Sequence, residues 1–159
     1  MRRRWKLLLI GITTLPLLAW GYDRLVAIHW VGHTDLEIEF IVVAESTAEP
    51  IEGATIQIRS EGGLNDEREP KRFALTTDPD GVSRRTCTGC MCFGTQSGLR
   101  FTNTFVVHIP WWYYQVSAEG FESTGEVSLD MIQNGRNIHR LGGGKSKLTV
   151  RLVLKKAST

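Results

Sequence analysis

The sequence predicts an all-β domain, an antiparallel β-sandwich of about seven short strands. Three observations carry this. Apolar residues recur at every second position in several short segments, turn-forming residues separate those segments, and no helical periodicity of about 10 to 15 residues lies between them. The 159 residues suffice for one domain with its own core, and no internal repeat points to a propeller or solenoid.

The strands follow in order. After a polar lead from Asp23 to Thr34, the residues Leu36, Ile38, Phe40 and Val42 share one parity against Glu37, Glu39 and Ile41, the pattern of a half-buried strand. Pro50 and Gly53 punctuate, and Ala54, Ile56 and Ile58 then alternate with Thr55, Gln57 and Arg59. Ser60 to Arg72 is charged, holds Gly62, Gly63 and Pro70, and predicts an exposed loop. Phe73 to Thr77 leads into Asp78-Pro79-Asp80-Gly81, where proline presets φ, aspartate closes an Asx turn and glycine takes positive φ. This predicts a hairpin, with Val82 to Thr86 returning antiparallel.

Cys87 to Gly98 is rich in Gly, Cys, Thr and Ser and predicts a second long loop. Phe101 to Ile109 is strand-like up to Pro110. Beyond it, Trp112, Tyr114, Val116 and Ala118 should face the core, while Trp111, Tyr113, Gln115, Ser117 and Glu119 share the outer parity. Gly120 closes that strand and Glu126 to Leu129 supplies another. Asn134-Gly135 and Gly142-Gly143-Gly144 bracket a turn-rich region before a last strand that carries Leu148, Val150, Leu152 and Leu154 on one face.

The N-terminal residues follow a different logic. Arg2, Arg3, Arg4 and Lys6 precede an uncharged run from Leu7 to Trp20 that contains Pro16. The run is shorter than the roughly 20 residues a membrane-crossing helix needs, and Ala19-Trp20-Gly21 places small residues before a cut ahead of Tyr22. Residues 1–21 therefore predict a cleaved signal peptide, with an uncleaved membrane anchor as the alternative, followed by a linker over 22–34 and a β-domain over 35–159. The expected location is the periplasm or cell surface. Without the four N-terminal cations the 19 basic residues fall below the 17 acidic ones, and the rest are scattered, so the footprint of a nucleic-acid-binding protein is missing.

Four stretches carry a family likeness: Pro50-Ile51-Glu52-Gly53-Ala54-Thr55-Ile56-Gln57-Ile58, Thr77-Asp78-Pro79-Asp80-Gly81-Val82, Tyr114-Gln115-Val116-Ser117-Ala118-Glu119-Gly120-Phe121, and the strand from Leu148 to Leu154. In this order they resemble the carboxypeptidase regulatory-like, or transthyretin-like, domains. The resemblance covers roughly residues 35–154 and rests on turn chemistry. It implies an Ig-like, prealbumin-like sandwich that serves as an accessory module with a structural or binding role. The transthyretin-like hydrolase of hydroxyisourate ends in Tyr-Arg-Gly-Ser, whereas this sequence ends Lys155-Lys156-Ala157-Ser158-Thr159.

Catalytic motifs are scarce. His29, His33, His108 and His139 form neither H-E-x-x-H nor H-x-x-E, and Gly144-Lys145-Ser146 lacks the first glycine of a phosphate loop, His139 standing in its place. Cys87, Cys90 and Cys92 are the densest reactive chemistry. A disulfide within this loop is one reading, a zinc site with His108 as fourth ligand another, and thiol redox chemistry a third. Trp111 and Tyr113, on the outer parity, are candidates for stacking on a sugar or a protein partner. His108 reads equally as a plain edge histidine. The expectation at this level is a non-catalytic exported or tethered module, not an enzyme and with no cofactor, whose partner is an unidentified protein or glycan of the envelope. The alternative is a small metal-binding or thiol-redox protein using the cysteine loop.

Overall fold

The structure, a computed structural model, describes residues 14–22, 26–61, 71–97, 103–129 and 138–157. The cationic start, most of the expected loop over 60–72 and the Asn134-Gly135 turn lie outside the described residues. A short helix spans residues 14–22, and the strands are β1 (Ile28–Ala44), β2 (Thr55–Ser60), β3 (Arg72–Thr76), β4 (Val82–Gln96), β5 (Asn103–Val107), β6 (Trp112–Ser117), β7 (Val127–Ser128), β8 (Ile138–Gly142) and β9 (Lys145–Leu154). The architecture is thus mostly β. The backbone divides into two compact units, a smaller one of Met1–Gly32 and Cys92–Val106 and a larger one of His33–Met91 and Val107–Thr159.

The larger unit is built from two sheets. One has the order β4-β1-β9-β8 and the other β3-β2-β6-β7. The core lies between them because the apolar parity of each strand points inward. Leu36, Ile38, Phe40 and Val42 of β1, Ile56 of β2, Trp112 and Val116 of β6, and Leu148 and Val150 of β9 are all fully buried. Phe40 meets Tyr114 across the layers with ring centroids 5.7 Å apart, and burial pushes the Tyr114 phenol up to about 12. Along β1 the outward parity carries one buried charge. Glu39 accepts hydrogen bonds from Arg84 Nε (2.9 Å) and Lys147 Nζ (2.8 Å). Burial works to raise its carboxyl, but the bonds and charges of Lys147 and Arg84 outweigh that and hold it below the ordinary value.

Four sequence expectations change. The antiparallel rule fails at the seam of the first sheet, where β1 pairs with β9 in parallel, Ile38 opposite Leu148 and Val42 opposite Leu152. The Asp78–Gly81 turn forms as expected, with Asp78 Oδ1 accepting from the amides of Asp80 and Val82. It does not make a hairpin, however, because β3 lies in one sheet and β4 in the other. Thr77 explains the crossing: its hydroxyl donates to Ile51 O (2.7 Å) and accepts from Ala54 N (2.9 Å), while Gly81 O accepts from Val42 N (2.8 Å), so the turn is fastened at both ends to different layers. Finally, the expected cysteine loop is strand, the middle of β4. The polar lead likewise becomes strand from Ile28 onward, since Ile28, Trp30 and Val31 are good strand formers and the intervening His29 and His33 do not oppose extension.

The smaller unit, taken by itself, joins the distal ends of β1 and β4 to β5 in the order β5-β4-β1. Trp30 stacks on Phe105 with centroids 6.0 Å apart, and His29 Nδ1 lies 3.1 Å from Thr95 Oγ1. Its helix leaves Leu15, Leu17, Leu18 and Trp20 well exposed. Among the described residues no helix is long and apolar enough to cross a membrane.

Candidate functional site

The outer face of the sheet β3-β2-β6-β7 holds a depression of about 550 Å³ lined by Gln57, Arg59, Arg72, Ala74, Gln115 and Glu126. Register assembles it. Because Ile56 and Ile58 turn inward, Gln57 and Arg59 turn outward, and pairing sets Gln57 opposite both Gln115 and Ala74 and Arg59 opposite both Tyr113 and Arg72. One parity of three strands therefore delivers two amides, two guanidinium groups and a phenol to the same patch.

Arg59 organises the patch. Its Nε and Nη2 donate to the two carboxylate oxygens of Glu126 at 2.9 Å each, and its Nη1 donates to Glu61 Oε1 at 2.5 Å. Its guanidinium also lies over the Tyr113 ring, 4.5 Å from the centroid. The hydrogen bond from Arg59 holds the Glu126 carboxyl below the ordinary range, and the same bonds push Arg59 further up. These groups are exposed, so their pairing adds little to stability. Its effect is to fix a forked, planar group in one orientation. The charges of Arg59 and Arg72 are matched by those of Glu61 and Glu126, which leaves the patch polar and near neutral.

The residues singled out from the sequence are not gathered here, apart from Tyr113. Trp111 is half exposed and faces His108, with centroids 6.3 Å apart. His108 Nδ1 lies 3.2 Å from Ile109 O. Cys87, Cys90 and Cys92 are all buried, and the Cys90 thiol donates to Cys87 Sγ at 2.8 Å. Cys92 belongs to the smaller unit. Among the described residues no group of three or more His, Cys, Asp and Glu side chains is placed to hold a metal, so the four-ligand zinc site of Cys87, Cys90, Cys92 and His108 does not assemble there. The sequence reading missed Gln57, Gln115 and Glu126. The signal for the two glutamines was present in the outward parity of β2 and β6, but parity alone reads as an ordinary solvated face.

No family model matches the chain, and no curated protein matches it. Solved structures with a similar chain course include the chlorocatechol 1,2-dioxygenase of Pseudomonas putida (18% identity, TM-score 0.47, 78% of this chain and 61% of that one). The catechol 1,2-dioxygenase of Pseudomonas arvilla C-1 gives 14% identity and a TM-score of 0.49 over 80% of this chain and 54% of that one. The intradiol ring-cleavage dioxygenase of Tetranychus urticae gives 13% and 0.47 over 77% and 81%. The chain thus spans about 60% of the length of the first of these neighbours.

The expectation of a non-catalytic module that is not an enzyme and needs no cofactor finds no support in these neighbours, which are named as ring-cleavage dioxygenases. Their reaction and substrates remain theirs at such identities and TM-scores. Among the described residues no set of three metal-ligating side chains comes together, so they do not form a metal centre.

Proposed function

We propose that the Arg59 depression is a site for a small, neutral ring bearing hydroxyl groups, taken as ligand or substrate. The observation that carries this is the immobilised Arg59 guanidinium beside the paired amides of Gln57 and Gln115. Amides offer both donor and acceptor, and the lone pairs left on Glu126 and Glu61 accept hydroxyl protons. Ala74, on the same outward parity as Gln57, adds a small apolar surface for the flat face of a ring. A compact anion is the poorer occupant, because both cations are already balanced.

The test is titration calorimetry with two probes, catechol as a flat diol and methyl glucoside as a puckered polyol. One of them binds, and the double variant Gln57→Ala with Gln115→Ala weakens that binding about tenfold, the worth of one or two neutral hydrogen bonds. Its thermal midpoint stays near that of the parent, since both amides are exposed. Absence of binding by both probes, or equal binding by the variant, overturns the assignment. Monitoring the bound probe for chemical change tells substrate from ligand.

We further infer that the N-terminal segment addresses the membrane, as an export signal or an uncleaved anchor. The uncovered Leu15, Leu17, Leu18 and Trp20, which follow the cations Arg2, Arg3, Arg4 and Lys6, support this. The resemblance to carboxypeptidase regulatory-like domains belongs to the same reading, with its glycines placed at the strand ends near Gly53, Gly81 and Gly120. N-terminal sequencing of the protein from fractionated cells decides it. A start at Tyr22 supports export, an intact start in the membrane fraction supports anchoring, and an intact start confined to the soluble fraction sinks both.

A further inference from the structure

We propose that Cys87 and Cys90 form an oxidation site that closes one disulfide within β4 and leaves Cys92 as a thiol. The pair lies in the other sheet from the Arg59 depression and does not depend on it. In a regular strand, residues three apart point to opposite faces. Here Cys87 and Cys90 are both buried while Thr88 and Gly89 between them are both exposed, so the strand gains a residue and bulges. Gly89, at φ 68°, makes the bulge, and its amide donates to Asp35 Oδ1 at 3.1 Å, fastening the bulge to β1. The outcome is two sulfur atoms 2.8 Å apart on one side of a strand, inside a hydrogen bond in which Cys90 is donor and Cys87 acceptor. That hydrogen bond and burial push the Cys90 thiol up, which leaves Cys87 as the sulfur that reacts first.

The closing step is thiol–disulfide exchange with a low-molecular-weight disulfide or an oxidised dithiol protein. Cys87, having lost its proton, displaces one sulfur of the carrier and forms a mixed disulfide. Cys90 then loses its proton and attacks Cys87 Sγ, so that the Cys87–Cys90 bond forms as the mixed disulfide breaks. The carrier departs as two thiols, holding the two electrons and two protons that the pair gave up. Cys92 takes neither role, since the sulfur–sulfur contact joins Cys87 to Cys90. It follows Cys90 by two residues and lies beside Gly32, whose Cβ position would be 3.7 Å from Cys92 Sγ.

The experiment uses the full chain equilibrated with oxidised glutathione or with reduced glutathione alone, then unfolded, alkylated and weighed by mass spectrometry. The oxidised parent takes one alkyl label and the reduced parent three. Cys92→Ser, oxidised, takes none, and Cys90→Ser, oxidised, keeps its label on Cys92 and carries Cys87 as the glutathione adduct that Cys90 would have resolved. Gly89→Ala, which leaves space around the new methyl but opposes the positive φ, shifts closure at least tenfold toward the thiols. Three labels on the oxidised parent, or any label on oxidised Cys92→Ser, overturns the proposal, as does a Cys87–Cys92 disulfide in oxidised Cys90→Ser. Far-ultraviolet dichroism on each variant confirms that the labels report a folded chain.

Discussion

Trp112→Ala is expected to lower stability by about 3–5 kcal/mol, the range for deleting a fully buried tryptophan. Trp112 is the largest side chain that is completely enclosed, and it meets Phe73 edge-on with centroids 5.3 Å apart. Its carbonyl also accepts from Leu129 N at 2.8 Å, so β6 anchors the segment that follows β7. The indole adds a second effect of opposite sign. Its Nε1 is buried with no hydrogen-bond partner among the described residues, and an orphaned buried donor costs about 1–3 kcal/mol. Trp112→Phe removes that donor along with part of the ring. Its cost should therefore fall to about 1 kcal/mol, well below what the lost volume alone suggests. Urea denaturation followed by far-ultraviolet dichroism measures both variants. Equal losses for Ala and Phe would mean that the indole N–H is satisfied after all.

The second large effect belongs to Gly81→Ala. At φ 70° any L-residue is strained by about 1–2 kcal/mol. Gly81 also lies against backbone: a methyl there would come within 2.6 Å of Val42 O and 3.0 Å of Ile51 N. Backbone held in a sheet cannot swing aside as a side chain can, so overpacking adds a further 1–3 kcal/mol or so. A total of about 2–5 kcal/mol follows. Gly89→Ala is the internal comparison, because it has nearly the same φ and nothing within 4 Å of the new carbon. The difference between the two midpoints in urea isolates the collision. If they coincide, the contact between the turn and β1 is soft.

What the sequence made readable depended on parity. Ile56 and Ile58 against Gln57 and Arg59, and Trp112, Tyr114 and Val116 against Tyr113 and Gln115, gave β2 and β6 almost residue by residue, since both are regular strands with one wet face. The middle of β4 was hidden for the opposite reason. The bulge at Gly89 makes Cys87 and Cys90 agree in burial when alternation would have them differ, and a string of small residues completes the look of a loop. Strand direction was hidden as well. Alternation is the same read either way along the chain, so nothing local distinguishes the parallel β1–β9 pair from an antiparallel one. Asp78 to Gly81 shows the limit of turn chemistry: it reverses the chain but does not choose the layer in which the next strand lies.

The candidate site obeyed the same limits. Each of Gln57, Arg59, Tyr113 and Gln115 had an outward direction that could be read, but their meeting needs the register between β2 and β6. Glu126 lies far along the chain from Arg59, in a predicted strand of four residues too short to show which way it faces, which is why the ion pair that stiffens the patch had no sequence signal.

The β1–β9 pairing also bears on how the protein is made. The seam between these strands joins positions about 110 apart, as Thr34 and Gly144 do through a hydroxyl–carbonyl bond. On the ribosome, β1 emerges early and waits with one flank bare until nearly the whole of the domain has been synthesised. During that interval its unpaired amides and the apolar row Leu36, Ile38, Phe40 and Val42 are open to any passing strand. Closing so long a loop is slow, so this seam forms late among the contacts of β1.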